Sequence, residues 1–240
     1  MTIDCCSNIA FIPNDIWEAI TIKVATDSIR SLCSLRMSCK AAHDAGEADI
    51  VHRSVSIPPP HATPWWWCLN PEAKRFFDRC MAAGNPELLF REALRELFIR
   101  RNENVGIQML NSASSRGHAA AKYAMSMMLM LRTDYNVEKQ KGLELYRELD
   151  AAGLLAGSNA RCFSILTVSW PGEVQMPRLE EQHTVCASPT CSTRGHMPLL
   201  YDYRRRAAER NSVHAFGRAA HIPCIQCRAD YDLQAFVNLP

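Results

Sequence analysis

The sequence predicts a mostly α-helical protein built from three successive regions. Apolar residues recur every three or four positions over most of the chain up to residue 168, which is the period of one helix face. Three amphipathic stretches each end in a glycine, at positions 84, 117 and 153, and this period is typical of stacked helix pairs. We therefore expect a three-helix unit, then antiparallel helical repeats, then a small C-terminal segment of the zinc-binding type.

Length and charge exclude several classes of protein. The 240 residues suffice for two or three small domains, and 27 Lys and Arg nearly cancel 25 Asp and Glu, so we expect neither nucleic acid nor a membrane as a partner. The longest uncharged apolar run, residues 124–131, is far shorter than the roughly 20 residues that cross a bilayer. The first residues carry an acid where a signal peptide carries basic residues, so we expect a soluble protein of the cytoplasm, the nucleus or both.

Composition shifts place the boundaries between the three regions. Residues 58–64 include three consecutive prolines, which lack amide hydrogens and cannot continue a helix. After residues 169–177 the helical period fades, and Cys, His, Pro and Arg accumulate. The predicted domains are therefore residues 8–57, 65–168 and 178–240.

The eleven cysteines are an odd number, spread along a chain in which we find no export signal, so we expect most of them to be reduced thiols. Four of them lie among apolar residues, and a buried free cysteine usually behaves as a small hydrophobic residue. We expect these four in the core: Cys33, Cys39, Cys80 and Cys162.

The first region is predicted to begin with two capped helices. Asp15 is a candidate N-cap, and Glu18 three positions later completes a capping box, so the first helix should run from residue 16 to about 25. The Thr-Asp-Ser sequence ending at Ser28 supplies a second cap. The helix that follows has one apolar face, formed by Ile29, Leu32, Leu35 and Cys39.

The end of this region is shorter and less regular. Residues 40–48 fit a third helix or helical turn, and apolar residues at 51, 55 and 57 lead out in the alternation of an extended segment. A helical unit of about 45 residues cannot bury enough of its own surface to be stable alone. Either the second region covers it, or a partner protein does.

The order of these elements resembles the F-box. In that family a Leu-Pro or Ile-Pro opens the motif, an acidic cap starts the first helix, a Leu-rich helix follows, and a Cys-Lys pair closes it. This chain has Ile12-Pro13, Asp15, the run IRSLCSLRM at 29–37, and Cys39-Lys40. The resemblance implies binding to a Skp1-type adaptor, which links F-box proteins to a cullin ubiquitin ligase. By matching motif positions, the implied contacts are Ile12, Pro13, Ile16, Ile29, Leu32 and Leu35.

The middle region opens with three tryptophans at 65–67, which we interpret as a plug against the first region, with an exposed contact site as the alternative. The stretch from Ala121 to Gly153 resembles the Sel1-like variant of tetratricopeptide repeats, which mostly bind peptides or proteins. We expect the methionines at 125, 127, 128 and 130 in the core. The helix pairs should stack around Leu110, Tyr123, Met128, Leu145 and Leu149.

Two cysteine pairs in the third region, Cys186-x4-Cys191 and Cys224-x2-Cys227, have the spacing of a zinc site. Each pair can present two thiolates on one turn, and two pairs complete the tetrahedron that Zn²⁺ prefers. We predict one structural Zn²⁺, with unligated thiols as one alternative. The other is a histidine replacing one cysteine, from His183, His196, His214 and His221. The arginines at 204–206 are interpreted as a solvated helix face.

The order of all three regions resembles plant F-box proteins with a tetratricopeptide-like domain. That resemblance implies a substrate-recruiting adaptor of a Skp1-cullin ubiquitin ligase and leaves the protein substrate unidentified. The sequence has no P-loop and no G-x-G-x-x-G, G-x-S-x-G or H-E-x-x-H motif, so we expect no catalytic residues and no enzyme. The alternative function is a zinc-containing or nucleic-acid interaction module, in which the first 57 residues only cap the repeats.

Overall fold

The computed structural model describes residues 12–59, 70–132, 136–179, 183–197 and 222–238. Every regular element within these ranges is an α-helix, which confirms the mostly α fold class. Of the helices in these ranges, none combines the length and the apolar character that crossing a bilayer requires. The predicted tryptophan plug at 65–67 and the arginines at 204–206 lie outside the described residues.

The chain divides into two compact units, Met1–Leu89 and Phe90–Pro240. The three domains expected from the sequence, residues 8–57, 65–168 and 178–240, remain a prediction, since the division into two units does not test their boundaries. The first unit holds the helices α1 (Asn14–Asp27), α2 (Ile29–Arg36), α3 (Lys40–Ala45), α4 (Asp49–Ser54) and α5 (Pro71–Ala82), and α6 (Pro86–Phe98) begins in it. The second unit holds α7 (Glu103–Ser115), α8 (Ala119–Met130), α9 (Asn136–Ala151), α10 (Leu155–Ser169) and α11 (Ile225–Val237).

The first helix does not start as the sequence predicts. Its N-cap is Pro13, whose carbonyl oxygen accepts hydrogen bonds from the N–H groups of Ile16 and Trp17 at 3.1 Å each, and no side chain caps the helix. The prediction of Asp15 as the N-cap is therefore wrong, because the extended backbone of Pro13 begins the helix two residues earlier. The second predicted cap is confirmed, since the Ser28 hydroxyl accepts from the N–H groups of Arg30 and Ser31.

The predicted extended exit from this region is partly wrong. Residues 49–54 form the helix α4, so Val51 and Val55 are both buried because they lie four positions apart, not because the chain alternates. Both belong to the core of the first unit, to which α1, α2, α4, α5 and the start of α6 contribute apolar side chains: Ala25, Leu32, Val51, Val55, Ile57, Phe77, Cys80 and Leu88.

A buried asparagine joins the end of α4 to the start of α6. The Asn85 amide nitrogen lies 2.8 Å from the carbonyl oxygen of Val55 and within 3.3 Å of those of His52 and Arg53. Its side-chain oxygen accepts from the N–H groups of Glu87 and Leu88, so the same side chain caps α6. Asn85 therefore satisfies backbone groups at two helix ends while being almost fully buried.

The cysteines predicted for the core divide into two groups. Cys80 and Cys162 are fully buried, and burial raises the pKa of the Cys80 thiol to about 12, as expected of inert core residues. Cys33 is exposed and Cys39 is half-buried, so the prediction is wrong for these two. Cys39 instead caps α3, where its sulfur accepts a hydrogen bond from the N–H of Ala42 at 3.5 Å.

The glycine period of the sequence corresponds to one turn that occurs three times. The glycines at 84, 117 and 153 follow α5, α7 and α9, with φ of 82°, 85° and 68°. After each glycine, the next N–H donates to the carbonyl five residues earlier, which is the Schellman arrangement that ends a helix. These bonds are Asn85 to Cys80 at 2.9 Å, His118 to Ala113 at 3.1 Å and Leu154 to Leu149 at 2.9 Å. The predicted placement of Gly117 and Gly153 at helix ends is confirmed.

Helix α8 is the most deeply buried helix of the second unit and packs against α7, α9 and α10. Gly142 on α9 permits one of these contacts, since a Cβ there would lie 2.9 Å from the Ser126 carbonyl oxygen. Of the predicted core, Leu110, Tyr123 and Leu149 are buried, as are Met125, Met127 and Met130. Met128 and Leu145 are only half-buried.

The Gly117→Val substitution should lower the free energy of unfolding by about 1 kcal/mol or more, because a β-branched residue is disfavoured at positive φ. A Cβ at this position would have no atom within 4 Å, so the loss would come from backbone conformation and not from a clash. Denaturant unfolding of the full chain measures it.

Gly157→Ala is the matched control, because Gly157 lies within α10 and a Cβ there also meets nothing within 4 Å. This variant should be more stable than the wild type by up to about 1 kcal/mol. Equal unfolding midpoints for Gly117→Val and the wild type would contradict the assignment of the turn.

Candidate functional site

The four predicted ligand cysteines lie together in the second unit. The sulfur atoms of Cys186, Cys191, Cys224 and Cys227 are all within 4.8 Å of one another. The first two lie on an irregular segment of turns, and the second two lie at the start of α11, where Cys224 is the N-cap residue. The structure therefore brings together two pairs that are separated by more than thirty positions in the sequence.

The distances in this cluster suit a tetrahedral metal site. The Cys186 and Cys224 sulfurs are 4.0 Å apart, and those of Cys191 and Cys227 are 3.5 Å apart. Zinc–thiolate bonds of about 2.3 Å in a tetrahedron separate the sulfurs by about 3.8 Å, whereas a disulfide brings them to about 2.05 Å. All four cysteines are free thiols, so the cluster could hold one metal ion.

Histidine does not join the donor atoms in the described part of the chain. His183 and His196 are described and lie outside the cluster, while His214 and His221 fall in residues that the structure does not describe. The donor set that can be described is therefore four sulfurs.

Hydrogen bonds hold the first cysteine pair against α11. The buried carboxylate of Asp230 accepts from the N–H groups of Val185 and Cys186, the latter at 3.0 Å, and from the Thr184 hydroxyl at 3.2 Å. The side-chain oxygen of Gln226 accepts from the Ala187 N–H at 3.2 Å. The helix that carries the second pair therefore also positions the first.

The four sulfurs differ in their surroundings. A hydrogen bond from Thr193 is the main cause that lowers the pKa of the Cys191 thiol to about 6, whereas burial raises the pKa of Cys186 and Cys227. The Thr193 hydroxyl also lies 3.1 Å from the Cys227 sulfur. Apolar side chains surround the cluster, namely Phe163, Met197, Ile222 and Tyr231. Such a site is partly shielded from water and accepts a thiolate most easily at Cys191.

Beyond the cysteines, α11 is attached to the repeats by two polar pairs, one partly buried and one fully buried. Arg228 forms a two-pronged ion pair with Asp150 of α9, with nitrogen–oxygen distances of 2.9 and 2.8 Å. One turn further along α11, the Asp232 carboxylate accepts a hydrogen bond from the Tyr146 hydroxyl at 2.7 Å. Arg228 and Asp232 lie four positions apart on α11, and so do Tyr146 and Asp150 on α9. One face of α11 therefore matches one face of α9.

An aromatic contact completes this docking. The ring of Phe236 lies edge-on to those of Phe98 and Tyr123, with centroids 5.8 and 6.4 Å apart. The Tyr123 hydroxyl in turn accepts from the Asn159 amide at 2.9 Å. Sequence reasoning missed the docking of α11, although the four-residue spacing of Arg228, Asp232 and Phe236 is the one signal that could have indicated it.

The predicted F-box contacts do not share one environment. Ile16 is 47% exposed on α1, and Pro13 before it is also exposed. Leu32 is fully buried in the core of the first unit. The remaining three, Ile12, Ile29 and Leu35, are half-buried. Sequence reasoning did not single out Ile20, which is 37% exposed one turn after Ile16.

Two comparisons with known proteins match this architecture. Residues 58–167 match the family of plant tetratrico peptide repeats. A protein of Arabidopsis thaliana that carries the name of an F-box protein is 25% identical over 134 residues. Together they support a plant protein of the F-box and tetratricopeptide type. The resemblance predicted from the sequence is confirmed at this level.

The match to the Arabidopsis protein covers only part of each chain. It covers 56% of this chain and 43% of the Arabidopsis protein, so the chain spans less than half of that relative's length. No solved structure matches the chain.

The buried carboxyl of Asp232 should make stability depend on pH. Burial raises the pKa of Asp232 from 3.8 to about 6, so the folded protein holds this proton more tightly than the unfolded chain. The stabilisation that comes from this tighter proton binding is fully present below pH 3.8. It is lost as the pH rises through about 6, which lowers the free energy of unfolding by about 3 kcal/mol. Asp232→Asn keeps an acceptor for Tyr146 without the charge. Its unfolding free energy should therefore rise relative to wild type between about pH 4 and 7.

Asp78→Asn is the control, because the Asp78 carboxylate forms an exposed ion pair with Lys74 and should contribute little. Denaturant unfolding at several pH values measures both variants. A constant difference between Asp232→Asn and the wild type across this range would contradict the burial of an ionisable carboxyl.

Proposed function

We propose that this protein is a substrate-recruiting F-box adaptor of a Skp1-cullin ubiquitin ligase in the cytoplasm, the nucleus or both. The first unit binds the Skp1-type adaptor, and the repeats with the C-terminal segment bind a protein target. The similarity to an Arabidopsis F-box protein and to plant tetratricopeptide repeats supports this assignment.

The single observation that carries the proposal is the two-sided character of α1. One face is buried within the first unit through Trp17, Thr21 and Ala25. A second face presents Ile16 and Ile20, large apolar side chains that are 47% and 37% exposed. Covering such side chains with a partner is favourable by about 25 cal/mol per Å² of apolar area, which is how a helix docks in a groove.

The remaining motif residues have a supporting role in this proposal. Leu32 is buried in the core of the first unit and Ile29 packs against that core, so both hold α2 in place. The adaptor then contacts the exposed residues of α1, beginning with Pro13. This assigns direct binding to Ile16 and Ile20 and positioning to Leu32.

The variant with Ile16→Glu and Ile20→Glu should bind a purified Skp1-type adaptor at least about 100-fold more weakly, because two carboxylates would be desolvated in the interface. Calorimetric titration measures the dissociation constant, and circular dichroism checks the fold. The control adds the same charges at exposed positions of α7, Gln108→Glu with Asn111→Glu, and should bind like the wild type.

An unchanged dissociation constant in the folded double variant would refute the α1 interface. The competing function is a zinc-containing or nucleic-acid interaction module without a ubiquitin-ligase role. A wild-type chain that does not bind the adaptor, yet binds nucleic acid with an affinity that falls steeply with salt, would favour that function.

The four-cysteine cluster supports a second part of the proposal, which is one structural Zn²⁺ in the C-terminal segment. Soft thiolates prefer zinc to hard divalent cations, and sulfurs within 4.8 Å of one another fit its tetrahedral geometry. Four thiolate ligands leave no position for water or substrate, so such an ion stabilises structure and does not catalyse. It would join the turns at Cys186 and Cys191 to the start of α11.

Wild-type protein should contain about one zinc per chain, and Cys224→Ser with Cys227→Ser should contain almost none. The C-terminal segment of the variant should become sensitive to protease, while the preceding helices stay resistant, because metal binding contributes on the order of 10 kcal/mol to such sites. Native mass spectrometry and limited proteolysis measure these two effects.

Cys33→Ser with Cys39→Ser is the matched control, since it removes two thiols outside the cluster and should retain the metal. Wild-type protein purified without chelator, with far less than one metal ion per chain and a protease-resistant C-terminus, would show that the cysteines are ordinary packed thiols.

A further inference from the structure

We infer that the surface covered by α11 is a binding groove for an amphipathic helix, and that α11 is its internal occupant. The partner that fits it is a target helix with a basic residue, an acidic residue and an aromatic residue at successive four-residue intervals. This inference rests on the proposed role of the repeats in recruiting a target, and it names the chemistry of that target.

The first step is the pattern on α11 itself. Arg228, Asp232 and Phe236 lie at four-residue intervals and therefore on one helix face. Each meets a different partner in the second unit, namely the Asp150 carboxylate, the Tyr146 hydroxyl and the Phe98 ring. Along this face, Arg228 is bound through charge, Asp232 through a hydrogen bond and Phe236 through aromatic packing.

The second step is the chemistry that the groove would present to another helix. Asp150 offers a carboxylate that suits a guanidinium, because the planar group can form two parallel hydrogen bonds. Tyr146 is almost fully buried, and burial raises its pKa, so the hydroxyl remains a donor that needs an acceptor. Phe98 and Tyr123 form an apolar end that accepts an aromatic ring. A helix with the pattern Arg-x3-Asp-x3-Phe satisfies all three groups.

The third step is why α11 controls access to the groove. A segment of the same chain acts at an effective concentration on the order of millimolar, so a separate helix competes poorly with it. Asp230 and the cysteine cluster add a second attachment at the start of α11, through Val185 and Cys186. Weakening the docking of α11 should therefore open the groove to a helix in trans.

The test uses the full chain and a fluorescent peptide of residues 225–237, in which Cys227→Ser prevents oxidation. The chain with Arg228→Glu and Phe236→Ala places a like charge opposite Asp150 and removes the aromatic contact of its own helix. This variant should bind the peptide at least about 10-fold more tightly than the wild-type chain does, measured by fluorescence anisotropy. The variant that removes two cysteines of the cluster, Cys224→Ser with Cys227→Ser, should also bind the peptide more tightly than the wild-type chain does.

A charge exchange supplies the matched control. A peptide with Arg228→Glu should not bind the opened chain, because its carboxylate would face Asp150. In a chain opened by Arg228→Ala with Phe236→Ala, whose own α11 carries no charge at position 228, adding Asp150→Arg should restore binding of that peptide and abolish binding of the original one. Nonspecific binding to an exposed apolar surface would not be restored by exchanging the two charges.

Absence of peptide binding to both variants, with helical content retained by circular dichroism, would overturn the inference. Equal binding of the original and the Arg228→Glu peptides would also overturn it. These outcomes are separate from the adaptor proposal, because Skp1-type binding is measured through α1 and needs no peptide. A chain that binds the peptide as expected but binds no adaptor would retain the groove and lose the ubiquitin-ligase role.

Discussion

Two buried carboxylates on α11 hold the C-terminal part of the second unit together. Asp230 and Asp232 are two positions apart, and since successive helical residues differ by about 100°, their side chains point to roughly opposite sides of the helix. Asp230 binds the backbone of the segment that carries the first cysteine pair, and Asp232 binds Tyr146 of α9. One helix therefore connects the thiol cluster to the repeats.

The parts of this arrangement that sequence predicts are those with strong local signals. A glycine after an amphipathic stretch indicates a left-handed helix end, and all three glycines of the period adopt it. Paired cysteines at short spacing indicate a common ligand, and the four sulfurs do lie together. Both inferences need only the residue type and its spacing, because the physical requirement is local.

The parts that sequence does not predict depend on long-range packing. Carboxylates are usually exposed, so nothing in the sequence around Asp230 and Asp232 distinguishes them from surface residues until their partners are known. The same holds for Cys33 and Cys80, which have similar apolar neighbours in sequence but opposite exposure in the fold. The predicted start of α1 was wrong for a local reason, since the backbone of Pro13 caps the helix where the side chain of Asp15 was expected to do so.

The triple occurrence of one glycine turn has a consequence for how such chains diverge. Each turn ends its helix through hydrogen bonds that involve only the few residues around it. Insertion or loss of a whole period would therefore leave the remaining turns with their hydrogen bonds intact. Insertion of part of a period would displace the glycine from the helix end and rotate every following apolar face. Length variation among homologous chains is accordingly expected in steps of one helix pair.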